Sequence, residues 1–162
     1  EGFAEKVDTS SISIQKRPPI RGNSIYTLIT DNQIDTNGLQ WYVAQFDAMA
    51  LGGDLVTIND SQENTWIHKT FNINSNPNRT EPSYYWTGFN DFEKEGAWKW
   101  ISNEEVSFIN WWQEENKITP PIDIESNIMS LGWASDKRWY SQPDLEINNI
   151  IGGISESKFI VC

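Results

Sequence analysis

Apolar positions recur along this chain at two distinct periods. Trp41, Ala44, Gln45, Ala48 and Leu51 fall three and four residues apart, which predicts a helix with one buried face. Gly52-Gly53 ends that helix, because glycine takes the left-handed cap conformation without steric cost. Asp60, followed three residues later by Glu63, forms a capping box and starts a second helix through Trp66, Ile67 and Phe71. Elsewhere the pattern is that of strands. Ser24–Thr30 is β-branched and aromatic, Leu55–Ile58 is short and apolar, Tyr84–Phe89 reads as buried, and Trp98-Lys99-Trp100 alternates. Beyond Phe108 the candidates are Ile128–Leu131, Arg138–Tyr140 and Phe159–Cys162, separated by long polar segments. Asp31–Gly38 and residues 72–83 read as loops. A strand, two helices and then many short strands predict one α+β domain. Residues 1–21, with weak periodicity and the Pro18-Pro19 pair, form a linker or leading segment, and 22–162 form the domain. There is no internal repeat.

Charge narrows the function. With 12 Lys and Arg against 23 Asp and Glu, the formal net charge is −11. Such a chain repels phosphate backbones and anionic lipid, which argues against nucleic acid and membrane insertion, while its acidic loops attract metal cations. Nine tryptophans supply more ring area than most cores of this size use, so some can form a binding wall. The one cysteine, Cys162, leaves no internal disulfide. That suits a reducing compartment or a microbial or viral surface protein. No apolar run approaches the roughly 18 residues of a membrane span. The first residue is Glu1, so the chain reads as a piece of a longer protein.

Several short motifs occur in a telling order. Trp41-x-x-Ala44 is followed by Leu51-Gly52-Gly53-Asp54-Leu55-Val56-Thr57-Ile58, then Ser61-Gln62-Glu63-Asn64. Trp86-Thr87-Gly88-Phe89 resembles a WIGL strand, and Asn90-Asp91 through Glu95-Gly96 leads into Trp98-Lys99-Trp100. Phe108-Ile109-Asn110-Trp111 and Phe159-Ile160-Val161-Cys162 complete the series. Over residues 22–162 the sequence resembles a C-type lectin-like domain. The resemblance implies two helices, short antiparallel strands and long loops. It also implies cysteines that this chain lacks: Ala48 and about Ile128 stand at two of their positions, and Cys162 has lost its partner. Packing of the tryptophans would have to replace the roughly 2–5 kcal/mol that each missing bridge supplies.

In sugar-binding members calcium is held by a Glu-Pro-Asn or Gln-Pro-Asp triplet, a later acidic residue and a Trp-Asn-Asp triplet. Here the stretch Asn110-Trp111-Trp112-Gln113-Glu114-Glu115-Asn116-Lys117 falls at the first triplet and has no central proline. At the second, Trp139 is followed by Tyr140-Ser141. Calcium needs six to eight hard oxygens, so the ordinary sugar–calcium bridge is not expected, and a solvated acidic loop is the plain alternative. An auxiliary calcium site is implied at Asp91 and Glu95, with Glu125 or Asp123 folding back to complete it. Alternatively, Asp91 only caps the turn before Gly96. Function is expected on residues 111–127 and 132–144, with Trp112, Glu114, Glu115, Asn116, Trp139 and Tyr140 as ligand-binding candidates. Trp98, Trp100 and Trp111 read as core residues, with Trp86 and Trp98 buried.

Enzymatic readings are weak. The doublets Glu104-Glu105 and Glu114-Glu115 point to opposite faces of an extended chain, so neither forms a glycosidase pair. His68, the only histidine, reads as a surface residue, and zinc or cysteine–histidine chemistry lacks a second ligand. Cys162 reads as a small buried hydrophobe, and Asn78-Arg79-Thr80 is a glycosylation sequon. The expectation is a non-enzymatic recognition module, extracellular or displayed on a cell or virion surface. It would bind a glycan or a host-surface protein as part of a larger adhesion or attachment protein. A calcium-independent protein-binding or display domain is the alternative.

Overall fold

A computed structural model describes residues 17–30, 39–73, 84–112, 126–132, 137–142 and 150–158. The elements in chain order are β1 (Ile20–Arg21), β2 (Ser24–Thr30), α1 (Trp41–Ala50), β3 (Asp54–Leu55), α2 (Ser61–Thr70), β4 (Tyr84–Asn90), β5 (Lys99–Trp100), β6 (Ile128–Leu131), β7 (Tyr140–Gln142) and β8 (Ile150–Lys158). They form one sheet in the order β1-β2-β8-β4-β6-β7, with β3 added to β8 and β5 to β4.

Both helix ends form as their residues dictate. Leu51 closes α1, Gly52 takes φ +89°, and the amides of Gly52 and Gly53 donate to Met49 O and Ala48 O. This is the paired-bond cap that a left-handed glycine permits. At α2 the Asp60 carboxylate accepts from Glu63 N at 2.7 Å, and the Glu63 carboxylate reaches back to Asn59 N at 2.8 Å. Trp41, Ala44, Gln45 and Ala48 line the buried face of α1, whereas Leu51, expected on that face, is exposed because the chain turns away there.

The sheet is mixed, not wholly antiparallel. β4 and β8 run parallel, Trp86 opposite Gly153, while β8 pairs antiparallel with β2 along its length. β8 is the central strand, and its span was not evident from the sequence, whose terminal candidate Phe159–Cys162 lies outside the described residues. Here Gly152-Gly153 separates Ile150-Ile151 from Ile154, and Ser155, Glu156 and Ser157 follow, so the β-favouring isoleucines form no continuous alternation. The glycines are needed for space: a Cβ on Gly152 would sit 2.3 Å from Ile29 O.

Every residue of β4 is buried, and alternate side chains enter two cores. Tyr84 and Trp86 face α1, with Trp41, Ala44, Ala48, Leu55 and Ile128. Tyr85 and Phe89 join Tyr26, Trp100, Trp111, Met129, Trp139 and Ile154. The indoles of Trp41 and Trp86 each find a backbone acceptor, Thr87 O at 2.8 Å and Leu39 O at 2.7 Å. Seven of the nine tryptophans therefore have core roles: Trp41, Trp86, Trp100, Trp111 and Trp139 are buried, Trp66 is half-buried edge-on to Tyr26, and Trp98 is half-buried against Trp111 rather than fully enclosed.

Candidate functional site

Two segments of the described chain meet, Asn110–Trp112 and Lys137–Gln142. Trp111 and Trp139 form a parallel bridge: Trp139 N donates to Asn110 O and Trp112 N donates to Trp139 O, both at 2.9 Å. In this extended stretch side chains alternate between faces. Trp111 and Trp139 point into the aromatic core, while Trp112 and Tyr140 lie outside it. Their rings stack, 6.0 Å between centroids and 25° between planes, with Trp112 47% exposed and Tyr140 half-buried. Exposed Arg138 lies between them in sequence and donates to Asn110 Oδ1 at 3.0 Å.

Helix α2 holds this base in place. Asn64, buried on α2, accepts from Trp139 Nε1 at 2.9 Å and donates from Nδ2 to Lys137 O at 3.0 Å. Asn110 Nδ2 donates to the same carbonyl at 2.7 Å. Lys137 sits at φ +60°, a left-handed conformation that a non-glycine residue keeps only when its surroundings impose it. Here both amide donors converge on its carbonyl.

The structure brings Trp112 and Tyr140 together and corrects the placement of Trp139. That ring is fully buried, so it cannot offer a face to a ligand; it is the core support under the pair. Glu114, Glu115, Asn116 and Glu125 lie outside the described residues. Asp91 is buried, its Oδ2 accepting from Gly96 N at 2.8 Å, which closes the turn as a cap does, while Glu95 is exposed. Among the described residues no three His, Cys, Asp or Glu side chains gather as a metal cluster. By themselves they do not supply the six or more oxygens calcium takes. His68 is not on the surface. It is buried, with Nδ1 2.8 Å from Asn64 O. The asparagines that position the base, Asn64 and Asn110, were not among the sequence candidates. Asn64 had one legible sign: it lies three residues before Ile67, on the buried side of a helix, where an amide demands partners.

A second polar group ties β2, α2 and β8 together. Tyr26 Oη donates to Glu63 Oε1 at 2.7 Å and lies 3.5 Å from Glu156 Oε1. Ser24 Oγ donates to Glu156 Oε1 at 2.8 Å, and Thr57 N to Oε2 at 3.3 Å. Burial raises the Glu156 carboxyl above the usual glutamate range. Repulsion from Glu63 adds to this, and the Ser24 bond opposes it. Burial also raises Glu104, but the Lys158 ammonium, donating at 2.7 Å, outweighs it and holds Glu104 below that range.

A mixed sheet with two helices over a Trp-rich core has the architecture of a C-type lectin-like domain. The family model for the lectin C-type domain matches residues 37–151, and the chain belongs to that family. Its domains are generally non-enzymatic binding modules. The chain is 34% identical over 77 residues to a perlucin-like protein of Mytilus galloprovincialis, 46% of each chain. It is 28% identical over 132 residues to C-type mannose receptor 2 of Homo sapiens, covering 76% of this chain and 8% of the receptor. The matches thus span less than half the length of either relative. Both are animal proteins, which lends no support to the expected microbial or viral origin. A calcium-independent type II antifreeze protein shares the fold with TM-score 0.67 and 18% identity, over 89% of this chain and 93% of that one. No described helix is long and apolar enough to cross a membrane.

Proposed function

We propose that this domain is an extracellular recognition module that binds a glycan or glycoconjugate through its long-loop region, within a larger adhesion protein. The observation that carries the reading is the stacked Trp112–Tyr140 pair, held outward by the Trp111–Trp139 bridge. An aromatic face presented on a fixed base suits the C–H face of a sugar ring, and the hold of Asn64 on the Lys137–Trp139 backbone and ring lowers the ordering cost of binding. Arg138 adds hydrogen-bond donors beside it. Binding through this pair needs no bridging calcium. Any calcium bound near Asp91, Glu95 and Glu125 would order the loop rather than hold the sugar. Calcium-independent binding of a protein partner is the second reading, favoured by the same exposed Trp112, since aromatic anchors also dominate protein interfaces. A glycan array probed with and without chelator tests both. The expected result is a set of sugars retained in chelator and lost in Trp112→Ala. Retention that requires calcium and ignores Trp112→Ala would overturn the proposal, and no retention of any sugar would favour the protein-binding reading.

A further inference from the structure

Helix α1 carries apolar residues on its outer side as well as its inner one. Its sequence, WYVAQFDAMA, holds one charged residue, Asp47, in a chain with net charge −11. Phe46 is 70% exposed, Tyr42 and Met49 are each 56% exposed, and Val43 is 45% exposed. Phe92, from the turn after β4, stacks on Tyr42 with centroids 5.7 Å apart, extending the patch. A surface helix ordinarily turns charged and polar residues outward, and one that is apolar all round is ordinarily covered. Together these side chains leave on the order of 500 Å² of apolar surface in water, near the upper end for the largest patch of a monomer.

We propose that this face is a homodimer interface, with α1 of one copy packed antiparallel on α1 of a second copy about a two-fold axis at Phe46. The spacing is self-complementary. Tyr42 lies four residues before Phe46 and Ala50 four after, so Tyr42 meets the small Ala50 of the facing helix, Val43 faces Met49, and the two Phe46 rings meet at the axis. Charge permits the pairing. Two copies of a chain at −11 repel, but the helical stripe Tyr42–Phe46–Met49 carries no charge, and Asp47 lies about 100° round the helix from Phe46, at a wet rim. The area fits a reversible dimer. About 1,000 Å² buried in total is the low end of specific interfaces, where association is weak.

Sedimentation equilibrium of the 162-residue chain, from about 5 µM to about 500 µM, covers the affinities of weak reversible dimers. The expected mass rises from one copy toward two. Phe46→Glu and, separately, Met49→Glu should hold it at one copy throughout, with an unchanged circular-dichroism melt, because both side chains are already exposed. Ile109→Glu, on an exposed apolar residue outside the helix, should leave the dimer intact. Phe46→Cys in a Cys162→Ser background should give an interchain disulfide on oxidation. Several results would overturn the proposal. One is a wild-type chain that stays a single copy at every concentration. Another is a dimer that survives both glutamate variants. A monomer whose α1 face binds an apolar dye lost in Phe46→Glu would assign the face to a different partner, and so would also overturn it.

Discussion

Trp139 Nε1 donates to Asn64 Oδ1 at 2.9 Å, across 75 residues of sequence, and joins the base of the loop region to helix α2. Both groups are buried, so removing either leaves a donor or acceptor without water. Asn64→Ala is expected to destabilise the domain by about 1–3 kcal/mol, the usual cost of an orphaned buried polar group. Urea unfolding measures it. Loss of stability within 0.5 kcal/mol or so, the range of a neutral surface change, would mean the bond contributes little.

Trp112→Ala separates recognition from stability. The ring is about half exposed and stacks only on Tyr140 among the described rings, so its removal should change unfolding free energy by no more than about 1 kcal/mol. Glycan retention should fall at least tenfold, equivalent to about 1.4 kcal/mol, in titrations of a retained sugar. Large destabilisation with unchanged retention would reverse the assignment of this ring.

Gly152→Ala tests why the central strand contains glycine. The added methyl would meet Ile29 O at 2.3 Å on the pairing partner β2, and a backbone atom cannot rotate away. Destabilisation of about 1–3 kcal/mol or more is expected from such overpacking. Gly52→Ala, where the new atom meets open space, should act only through the strain of its φ of +89°. Equal melting temperatures for wild type and Gly152→Ala would show that the sheet relaxes there.

Two carboxyls give the domain opposing pH responses. Glu156 has its folded value raised above the 4.5 of an ordinary glutamate, so the folded state holds its proton more tightly than the unfolded state does. The stability it contributes is complete below 4.5 and is lost as pH rises through the folded value. Glu104 is depressed below 4.5, so its contribution is present above that value and is lost as pH falls through the folded one. Glu156→Gln should therefore gain stability relative to wild type as pH rises from 4.5 to 7, while retaining an acceptor for Thr57 N. Unfolding measured with chelator present across that range checks it. A difference that does not change with pH would exclude Glu156 as the titrating group.

Local chemistry written in adjacent residues determined the helices, the C-terminal end of α1 and the N-terminal end of α2, the buried strand read as Tyr84–Phe89 and the family resemblance. Asp60 reaches Glu63, and Gly52 frees the cap of α1, with no help from distant parts of the chain. That is why the spacing of these residues was enough. Trp112 and Tyr140 were also legible as ligand-binding candidates, because they flank polar segments. Which neighbours they would have was not. Trp139 is a core residue because Asn64, 75 positions away, supplies its acceptor and because Phe89, Trp100 and Phe108 close around its ring. His68 is buried for a related reason, its ring turned back to Asn64 O within α2. The strand Ile150–Lys158, whose pattern is broken by two glycines and a Ser-Glu-Ser run, is central because β2 occupies one of its edges and β3 and β4 share the other. Its backbone bonds, not its side-chain preferences, decide its place, and those bonds exist only once the chain has folded.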